Sequence, residues 1–283
     1  MEIRRAVQEA LAEDVRSGDV TSEAVIPAAA RSSARMVTRE PMVAAGLAFA
    51  VETFRALDPA AVIEAVVPDG FRLPAGASIL RVTGASRALL TAERTALNFV
   101  QRLSGIATAT AAFVDAVAGT RARILDTRKT TPGWRVFEKY AVACGGGTNH
   151  RHGLDDLVLI KDNHLAALQG ASPNPIAVAV ERARARYPYL KVEVEADTLD
   201  QVAQALAAGA EIILLDNMSP AQLTEAVRLC AGRALTEASG GVRLETVRAI
   251  AETGVDFISA GALTHSVRAI DIGLDFEASP GTR

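Results

Sequence analysis

The spacing of apolar residues divides the chain into two parts near Gly119. In the first part, apolar residues recur at helical spacing over residues 2–14 and 46–57, and again after Thr91, which we take as a helix cap. We expect that last helix to reach Val117 with a break near Gly105. Alternating or β-branched stretches predict strands at residues 35–40, 61–67 and 79–83. This irregular mixture of helices and strands indicates an α+β unit.

After Gly119, strand-like and helix-like segments alternate regularly. Strands are expected at residues 123–126, 157–161, 191–196, 211–215, 235–238 and 256–260, and helices at 175–187, 199–208, 221–229 and 244–252. Repeated βα units imply a parallel sheet with right-handed crossovers. Six strands in about 150 residues favour an incomplete (β/α) barrel, with a doubly wound open sheet as the alternative. No GxGxxG follows a strand, which counts against a dinucleotide-binding sheet.

The tail of the chain has a different pattern. Residues 269–276 alternate strictly between apolar and other residues, which predicts a half-buried strand. Its acidic face does not suit the interior of a parallel barrel, so we expect this strand to return to the first unit.

Composition and charge exclude several classes of protein. The chain has 283 residues, 49% of them hydrophobic and 22% charged, with a formal net charge of −3, so a broad basic nucleic-acid-binding face is not expected. The N-terminus does not resemble a signal peptide, and the longest apolar run, residues 42–51, is too short to span a bilayer. Cys144 and Cys230 show no metal-binding spacing, which favours reduced thiols in a cytoplasmic protein.

Polar groups suited to phosphate or metal chemistry follow the predicted strands in succession. In chain order they are Arg128 and Lys129, Lys161, Glu195 and Asp197, Asp216 and Asn217, Ser239 to Gly241, and Ser259 to Ala262. In a barrel, the carboxyl ends of all strands meet at one mouth, which is where active sites form. Any one of these groups has an ordinary explanation, but their repetition favours a shared site.

The acidic and basic members suggest different ligands. Glu193 and Glu195 could lie on a solvated edge face or be buried beside a cation, and the pattern leaves both open. Asp216 follows a strongly apolar strand, so we expect it to be buried, and with Glu195 it could hold Mg²⁺ or face a developing positive charge. Eight basic and four acidic residues lie between Arg121 and Lys161, an excess that suggests a polyanion pocket.

The remaining candidates are weaker when taken singly. Ser239-Gly240-Gly241 and Gly261-Ala262 could expose backbone N–H groups to a phosphate, although a lone glycine pair is usually turn chemistry. His150-Arg151 follow three glycines, which permit close approach to a ligand. From position alone, Lys139 and Arg94 are expected to be surface charges.

Several long motifs resemble the signature of the quinolinate phosphoribosyltransferase family. They are DTRKTTPG (126–133), EKYAV and GGGTNHRHGL (138–154), LIKDNH (159–164), ERTALNFVQRLSGIAT (93–108), EDVRSGDVTS near the start, VEVEAD, LLDN, EASGG and ISAGALTHS. The resemblance covers nearly the whole chain. Trp134 stands where a smaller apolar residue is expected in relatives, which puts the packing of that loop in question.

The resemblance implies an N-terminal α/β sandwich domain, residues 1–106, joined by a C-terminal strand within 266–283, and an open α/β barrel, residues 107–265. It also implies a homodimer in which Arg94 contributes to the site of the neighbouring subunit, although position alone predicts a surface charge. Arg128, His150, Arg151 and Lys161 would hold the two carboxylates of quinolinate.

The resemblance implies further roles around phosphoribosyl pyrophosphate. Lys129 and Lys161 would lie on its pyrophosphate side, Glu195 and Asp216 would serve Mg²⁺ and the ribose, and Ser239, Gly240 and Gly261 would bind the 5′-phosphate. Thr127, Gly241 and Ala262 are further expected substrate-binding residues. Lys129, Glu195 and Asp216 are the expected catalytic residues.

The implied reaction is Mg²⁺-dependent phosphoribosyl transfer to quinolinate with decarboxylation, a step of NAD biosynthesis. Three alternatives remain: a related transferase that uses nicotinate or another acid, a barrel lyase or aldolase with Lys161 as Schiff-base nucleophile, and a non-catalytic phosphate-ligand sensor. We expect no nucleic-acid or membrane partner.

Overall fold

The structure is a computed structural model that describes residues 2–65 and 67–277. Its helices are α1 Glu2–Val15, α2 Val20–Val25, α3 Leu47–Leu57, α4 Ser86–Ala116, α5 Arg135–Cys144, α6 Asp162–Ala167, α7 Pro175–Arg186, α8 Leu199–Ala208, α9 Pro220–Cys230, α10 Leu244–Ala251 and α11 Ala262–His265. Its strands are β1 Arg31–Thr38, β2 Met42–Val43, β3 Val62–Ala65, β4 Arg72–Leu73, β5 Ser78–Ala85, β6 Arg123–Leu125, β7 Val158–Ile160, β8 Val192–Ala196, β9 Ile212–Asp216, β10 Leu235–Ser239, β11 Phe257–Ser259 and β12 Ile272–Phe276.

These elements form two compact units. Unit 1 contains residues 1–109, 143–146 and 267–283, and unit 2 contains residues 110–142 and 147–266. The predicted strand at 61–67 and the predicted tail segment 266–283 extend partly over residues 66 and 278–283, which lie outside the described chain. None of the described helices combines the length and apolar character needed to cross a membrane.

Unit 1 contains an antiparallel sheet in the order β12-β1-β5-β3, with a separate β2–β4 pair. Alternate residues of its strands, such as Met36 and Leu274, enter the core, where they meet Phe54 of α3 and Leu97 of α4. On the opposite face, Asp275 of β12 pairs with Arg39, and Glu277, which follows the strand, pairs with Arg81. The acidic side chains on this face of the tail therefore have arginine partners, which an open antiparallel sheet permits.

Two expectations for α4 are wrong. The helix begins at Ser86, and Thr91 lies inside it, where its hydroxyl donates to the Arg87 carbonyl at 2.9 Å. The helix also continues without a break through Gly105, where an added Cβ would overlap the carbonyl oxygen of Arg268. Glycine at this position permits close approach of another backbone segment and does not end the helix.

Unit 2 is built on a six-stranded, all-parallel sheet in the order β6-β11-β10-β9-β8-β7. One face of β8 and β9 is apolar and fully buried, with Val192, Val194, Ile213 and Leu215, whereas the other face of β8 carries Glu193 and Glu195. Strands β6 and β7 are the two edges of this sheet, so the barrel is incomplete, and the predicted fold class is confirmed. Helix α5 lies between these two strands in the chain and α6 directly follows β7, in stretches for which the sequence pattern predicted no helix.

Candidate active site

A cavity of about 720 Å³ lies at the carboxyl ends of the unit 2 strands. This volume is typical of small-molecule sites. Its lining includes Thr127, Arg128, Lys129, His150, Arg151, Lys161, Glu195, Asp216, Ser239, Gly240, Gly241, Gly261 and Ala262. The structure thus gathers thirteen of the fourteen predicted site residues around one space. Arg94, the remaining one, belongs to unit 1, where it is an exposed residue of α4.

Parallel pairing explains this convergence. The register aligns Ser239 at the end of β10 with Asp216 at the end of β9, and Glu195 near the end of β8 with Leu214. Side chains that follow neighbouring strands therefore emerge at one level, although they are separated by at least 20 residues in sequence.

Two half-buried arginines form the most cationic part of the cavity. Arg128 has a buried Nε with no hydrogen-bond partner among the described residues, and Arg151 Nη1 donates to the Leu157 carbonyl at 3.3 Å. Burial, together with the nearby charge of Arg128, lowers the pKa of Arg151. Two neighbouring cations with donors left over indicate a site for an anionic ligand.

His150 lies between these arginines and two buried acids. Its Nε2 is 3.2 Å from Glu193 Oε2 and 3.4 Å from Glu237 Oε2, and both glutamates are at most 1% exposed. Three carboxylate oxygens, both of Glu193 and Oε1 of Glu237, have no hydrogen-bond donor among the described residues. The contacts with His150 are therefore ion-pair contacts with poor hydrogen-bond alignment. The buried alternative for Glu193 is therefore the right one, and Glu237, which also lines the cavity, was missed by the sequence analysis. Its position inside the predicted buried strand 235–238 was the sequence feature that could have identified it.

The contacts of the His150 ring make opposite demands on its charge. The N–H of Arg151 points at Nδ1 at 2.7 Å, which favours a neutral ring. Burial alone would lower the pKa of His150, but the interactions with Glu193 and Glu237 raise it to about 10. We expect the two acids to outweigh one neutral amide, because charge-assisted contacts are roughly twice as strong as neutral ones. Burial and the charge of Glu237 in turn raise the pKa of Glu193.

The exposed part of the cavity carries Lys161, Glu195 and Asp216. Lys161 Nζ is 2.7 Å from Glu195 Oε2, and Asn217 Nδ2 donates to Asp216 Oδ2 at 2.6 Å. Burial and the charges of Glu195 and Asp197 raise the pKa of Asp216. A cation placed beside these carboxylates would relieve that repulsion. Oxygen donors from two carboxylates, completed by substrate phosphates, are the usual way in which proteins bind Mg²⁺, so these residues fit the predicted ion.

Another cluster has metal-ligand chemistry as well. Among the described residues, His150, Glu193 and Glu237 are the group of three potential ligands whose donor atoms all lie within 4.8 Å of one another. The positive charge of Arg151 near Glu193 opposes a cation there, and the contacts of His150 with Glu193 and Glu237 already occupy the space between the donor atoms.

Glycines let the backbone reach the cavity. Gly240 has a φ of +95°, and an added Cβ would overlap the amide side chain of Asn217. At Gly261, an added Cβ would come within 2.9 Å of Lys129 Cδ. Gly241, with a φ of +58°, faces open space. At Gly240 and Gly261 the close approach of other residues therefore requires a missing side chain.

The loop after Lys129 is well packed. The Lys129 N–H donates to Thr127 Oγ1 at 3.0 Å, and Thr264 Oγ1 donates to the Lys129 carbonyl at 2.7 Å. The half-buried Trp134 packs edge to face with Phe137, and its carbonyl accepts the N–H of Glu138 at 3.0 Å. The larger residue thus serves as the start of α5.

The surface reading of Lys139 is wrong. Its side chain is fully buried in an ion pair with Asp126, which is also fully buried. Because Lys139 follows the similarly buried Glu138 on α5, helical periodicity gave no sign of which charges point inward.

Comparison with known proteins places the whole chain in one group. The family model for the C-terminal domain of quinolinate phosphoribosyl transferase matches residues 106–275, and the model for its N-terminal domain matches residues 19–104. The chain is 49% identical over 285 residues to "Nicotinate-nucleotide pyrophosphorylase [carboxylating]" of Mycobacterium leprae, covering 96% of each. It is 42% identical to "Quinolinate phosphoribosyltransferase [decarboxylating] 1" of Nicotiana glauca, over 98% of this chain and 83% of the relative.

A solved structure shows the same fold. The nicotinate-nucleotide pyrophosphorylase from Francisella tularensis superposes with a TM-score of 0.92 and 43% identity, covering 98% of this chain and 96% of that one.

Proposed function

The chain belongs to the quinolinate phosphoribosyltransferase family of enzymes, and from this premise we propose that it transfers the phosphoribosyl group of phosphoribosyl pyrophosphate to quinolinate with loss of CO₂. The products are nicotinate mononucleotide, pyrophosphate and CO₂, and the step belongs to NAD biosynthesis. The observation that carries this proposal is the buried group of Arg128, His150 and Arg151 in the same cavity as the acids Glu195 and Asp216.

Quinolinate is a rigid, planar dianion, and the cationic part of the cavity suits it. Arg128, His150, Arg151 and Lys161 bind its two carboxylates. Arg128 contributes the unpartnered Nε described above, which donates to a carboxylate oxygen. The excess of donors over acceptors in this group explains selection for two carboxylates over one.

Phosphoribosyl pyrophosphate occupies the open part. Lys129 and Lys161, together with Thr127, lie on its pyrophosphate side. The 5′-phosphate binds where Ser239, Gly240, Gly241, Gly261 and Ala262 leave backbone groups accessible. Glu195 and Asp216 lie beside the ribose and bind Mg²⁺, which when bound neutralises charge on the leaving pyrophosphate.

Charge changes during the reaction match these residues. The pyridine nitrogen forms a bond to the anomeric carbon of the ribose as the bond from that carbon to pyrophosphate breaks, through an oxocarbenium-like transition state. The carboxylates of Glu195 and Asp216 stabilise the positive charge on the ribose, and Lys129 stabilises the negative charge on the departing oxygen. The quaternised ring then keeps the electron pair of the C2–carboxylate bond as CO₂ leaves, and C2 takes up a proton.

The Schiff-base alternative fits the geometry poorly. Lys161 is 46% exposed and ion-paired with Glu195. Nucleophilic lysines are instead desolvated or placed next to another cation.

We also propose that the active enzyme is a homodimer in which Arg94 of each chain completes the partner's quinolinate site. The exposure of Arg94 on α4 supports this, because an arginine that binds a carboxylate in the partner's site must be accessible at the surface of its own chain. We also propose a cytoplasmic location, because Cys144 and Cys230 show no spacing typical of metal binding or of a redox pair.

Product analysis tests the reaction. Incubation of the protein with phosphoribosyl pyrophosphate and Mg²⁺ should release CO₂ and form nicotinate mononucleotide from quinolinate, whereas nicotinate should give little product. Equal turnover of nicotinate would favour the related transferase. Borohydride trapping of a Lys161 adduct, or turnover independent of Mg²⁺, would favour the lyase.

Subunit mixing tests the dimer. Arg94→Ala and Lys161→Ala, each inactive alone, should regain activity when mixed and allowed to exchange, because one site in the mixed dimer is intact. No recovery despite verified exchange would show that Arg94 does not act across the dimer.

A further inference from the structure

One buried ion pair holds the backbone of His150 on both sides. The side chains of Lys139 and Asp126 are fully buried and contact each other through Nζ and Oδ1. Lys139 Nζ also donates to the His150 carbonyl at 2.9 Å, and the His150 N–H donates to Asp126 Oδ1 at 2.8 Å. Both backbone groups of His150, its N–H and its carbonyl, are therefore hydrogen-bonded to this pair.

The residues before His150 are held in the same way. The Thr148 N–H donates to the Ile124 carbonyl at 2.8 Å, and the Asp126 N–H donates to the Thr148 carbonyl at 3.2 Å, which continues the sheet beyond β6. Asn149, oriented to satisfy its amide, donates to Asp126 Oδ2 at 2.7 Å and to the Lys139 carbonyl at 2.9 Å. The segment that leads to His150 thus runs along a fixed edge.

Neither charge of the pair is stable without the other. Burial raises the pKa of Asp126 and lowers that of Lys139, and the contact between them opposes both shifts. Asp126 comes directly after β6, and Lys139 lies in the middle of α5. The pair therefore connects the sheet to α5 at the level of His150.

We propose that Lys139 and Asp126 are positioning residues for quinolinate, which fix the backbone of His150 so that its ring stands between the buried glutamates and the substrate carboxylate. This inference rests on the proposed function. Lys139 and Asp126 are not among the residues that line the cavity, so they act through His150 and its neighbour Arg151.

The location of the pair predicts which substrate is affected. His150 and Arg151 are consecutive, so a shift of this segment moves two of the four proposed quinolinate ligands together. Among the proposed phosphoribosyl pyrophosphate contacts, Asp216, Ser239 to Gly241, Gly261 and Ala262 follow β9, β10 and β11, whereas Thr127 and Lys129 follow β6, directly after Asp126. Removal of Lys139, which leaves Asp126 in place, should therefore weaken quinolinate recognition much more than phosphoribosyl pyrophosphate recognition.

Steady-state kinetics of Lys139→Met test this selectivity. Partners behind a metal ligand typically contribute about 10–100-fold in affinity or activity, and we expect KM for quinolinate to rise by about tenfold, with KM for phosphoribosyl pyrophosphate nearly unchanged. Val142→Ala is the matched control, because Val142 is fully buried on the same helix without contacting His150 through a hydrogen bond. It should lower stability and leave the ratio of the two KM values unchanged.

A double-mutant cycle tests whether Lys139 acts through His150. In a His150→Ala background, Lys139→Met should have a much smaller effect on KM for quinolinate than in the native background, because the ring to be positioned is absent. Additive effects, or equal rises in both KM values, would overturn the proposal.

Amide hydrogen exchange provides a readout independent of substrate. The His150 N–H should exchange faster in Asp126→Asn/Lys139→Met, which removes both buried charges and so avoids leaving one unpaired if Lys139→Met fails to fold. Unchanged His150 exchange in a folded double variant would refute positioning. If the native protein shows no turnover of quinolinate, the proposed function is refuted instead. The hydrogen-exchange result would still stand in that case.

Discussion

The cavity contains two groups of charges that are held in different ways. The buried cluster consists of Arg128, His150, Arg151, Glu193 and Glu237, and the open cluster consists of Lys129, Lys161, Glu195 and Asp216. In the buried cluster, Glu193 is fully buried and several polar atoms have no hydrogen-bond partner in the described chain. In the open cluster, Lys161 is 46% exposed and contacts Glu195 at 2.7 Å.

This difference separates two kinds of recognition. The buried cluster has donors and acceptors without partners in the described chain, which suits a small planar ligand that arrives with its own charges in fixed positions. In the open cluster Lys161 and Glu195 contact each other, so a ligand must replace that contact. This suits a flexible polyphosphate that brings Mg²⁺. Substitutions in the two clusters should consequently affect different substrates.

Arg128→Ala should have the largest effect. Truncating one partner of a buried charged contact costs about 2–5 kcal/mol, so kcat/KM for quinolinate should fall by roughly 30- to 5,000-fold. KM for phosphoribosyl pyrophosphate, measured at saturating quinolinate, should change little. Arg128→Lys is the control for charge alone, and it should recover only part of the loss because it lacks the fork geometry. An equal loss for both substrates would remove the distinction between the clusters.

Asp216→Asn should come next, within the open cluster. A hydrogen bond or contact to a charged group contributes about 1.5–3 kcal/mol, so activity should fall by roughly 10–10²-fold. The variant should need more Mg²⁺ for half-maximal rate and bind quinolinate normally. Titration of the rate against Mg²⁺ measures this, and an unchanged Mg²⁺ requirement would contradict the assignment of Asp216 to the ion.

Gly240→Ala and Gly241→Ala form a matched pair at the proposed 5′-phosphate site. Both residues have positive φ, but only Gly240 is pressed against Asn217. Overpacking typically costs about 1–3 kcal/mol, so Gly240→Ala should destabilise the protein by about that much more than Gly241→Ala does. Denaturant unfolding measures the difference, and KM for phosphoribosyl pyrophosphate should rise more for Gly240→Ala. Equal losses of stability in the two variants would show that Asn217 can move away from the added methyl group at little cost.

The pH dependence of stability tests the charge of His150 in the buried cluster. The folded-state pKa of His150, about 10, lies above its ordinary value of 6.5. The stabilisation is therefore complete below about pH 6.5 and is lost as the pH rises through 10. The stability difference between the native protein and His150→Gln should shrink between pH 6 and pH 10.5. A difference that stays constant would mean that the Arg151 N–H keeps the ring neutral.

Much of the fold could be predicted from local patterns. The βα alternation after Gly119 predicted the six strands of unit 2 and the helices α7 to α10 in the right order, because apolar runs and their terminating residues are local signals. The helices α5, α6 and α11 were not predicted. Helix α8 has the predicted bounds, with Thr198 as its cap. Errors arose where a distant segment decided the outcome: Gly105 is required by the approach of Arg268, and Thr91 lies inside a helix that starts five residues earlier.

For the site, the sequence by itself determined which side chains follow each strand, and its motifs identified the family. Tertiary structure decided which charges became buried. The pattern of α5 gave no reason to separate Lys139 from surface charges, and the position of Glu237 inside a predicted buried strand indicated burial but not its partner. Their roles depend on Asp126, 13 residues before Lys139, and on His150, 87 residues before Glu237. Burial and ion pairing depend on the partners that folding brings together, and no local pattern records those partners.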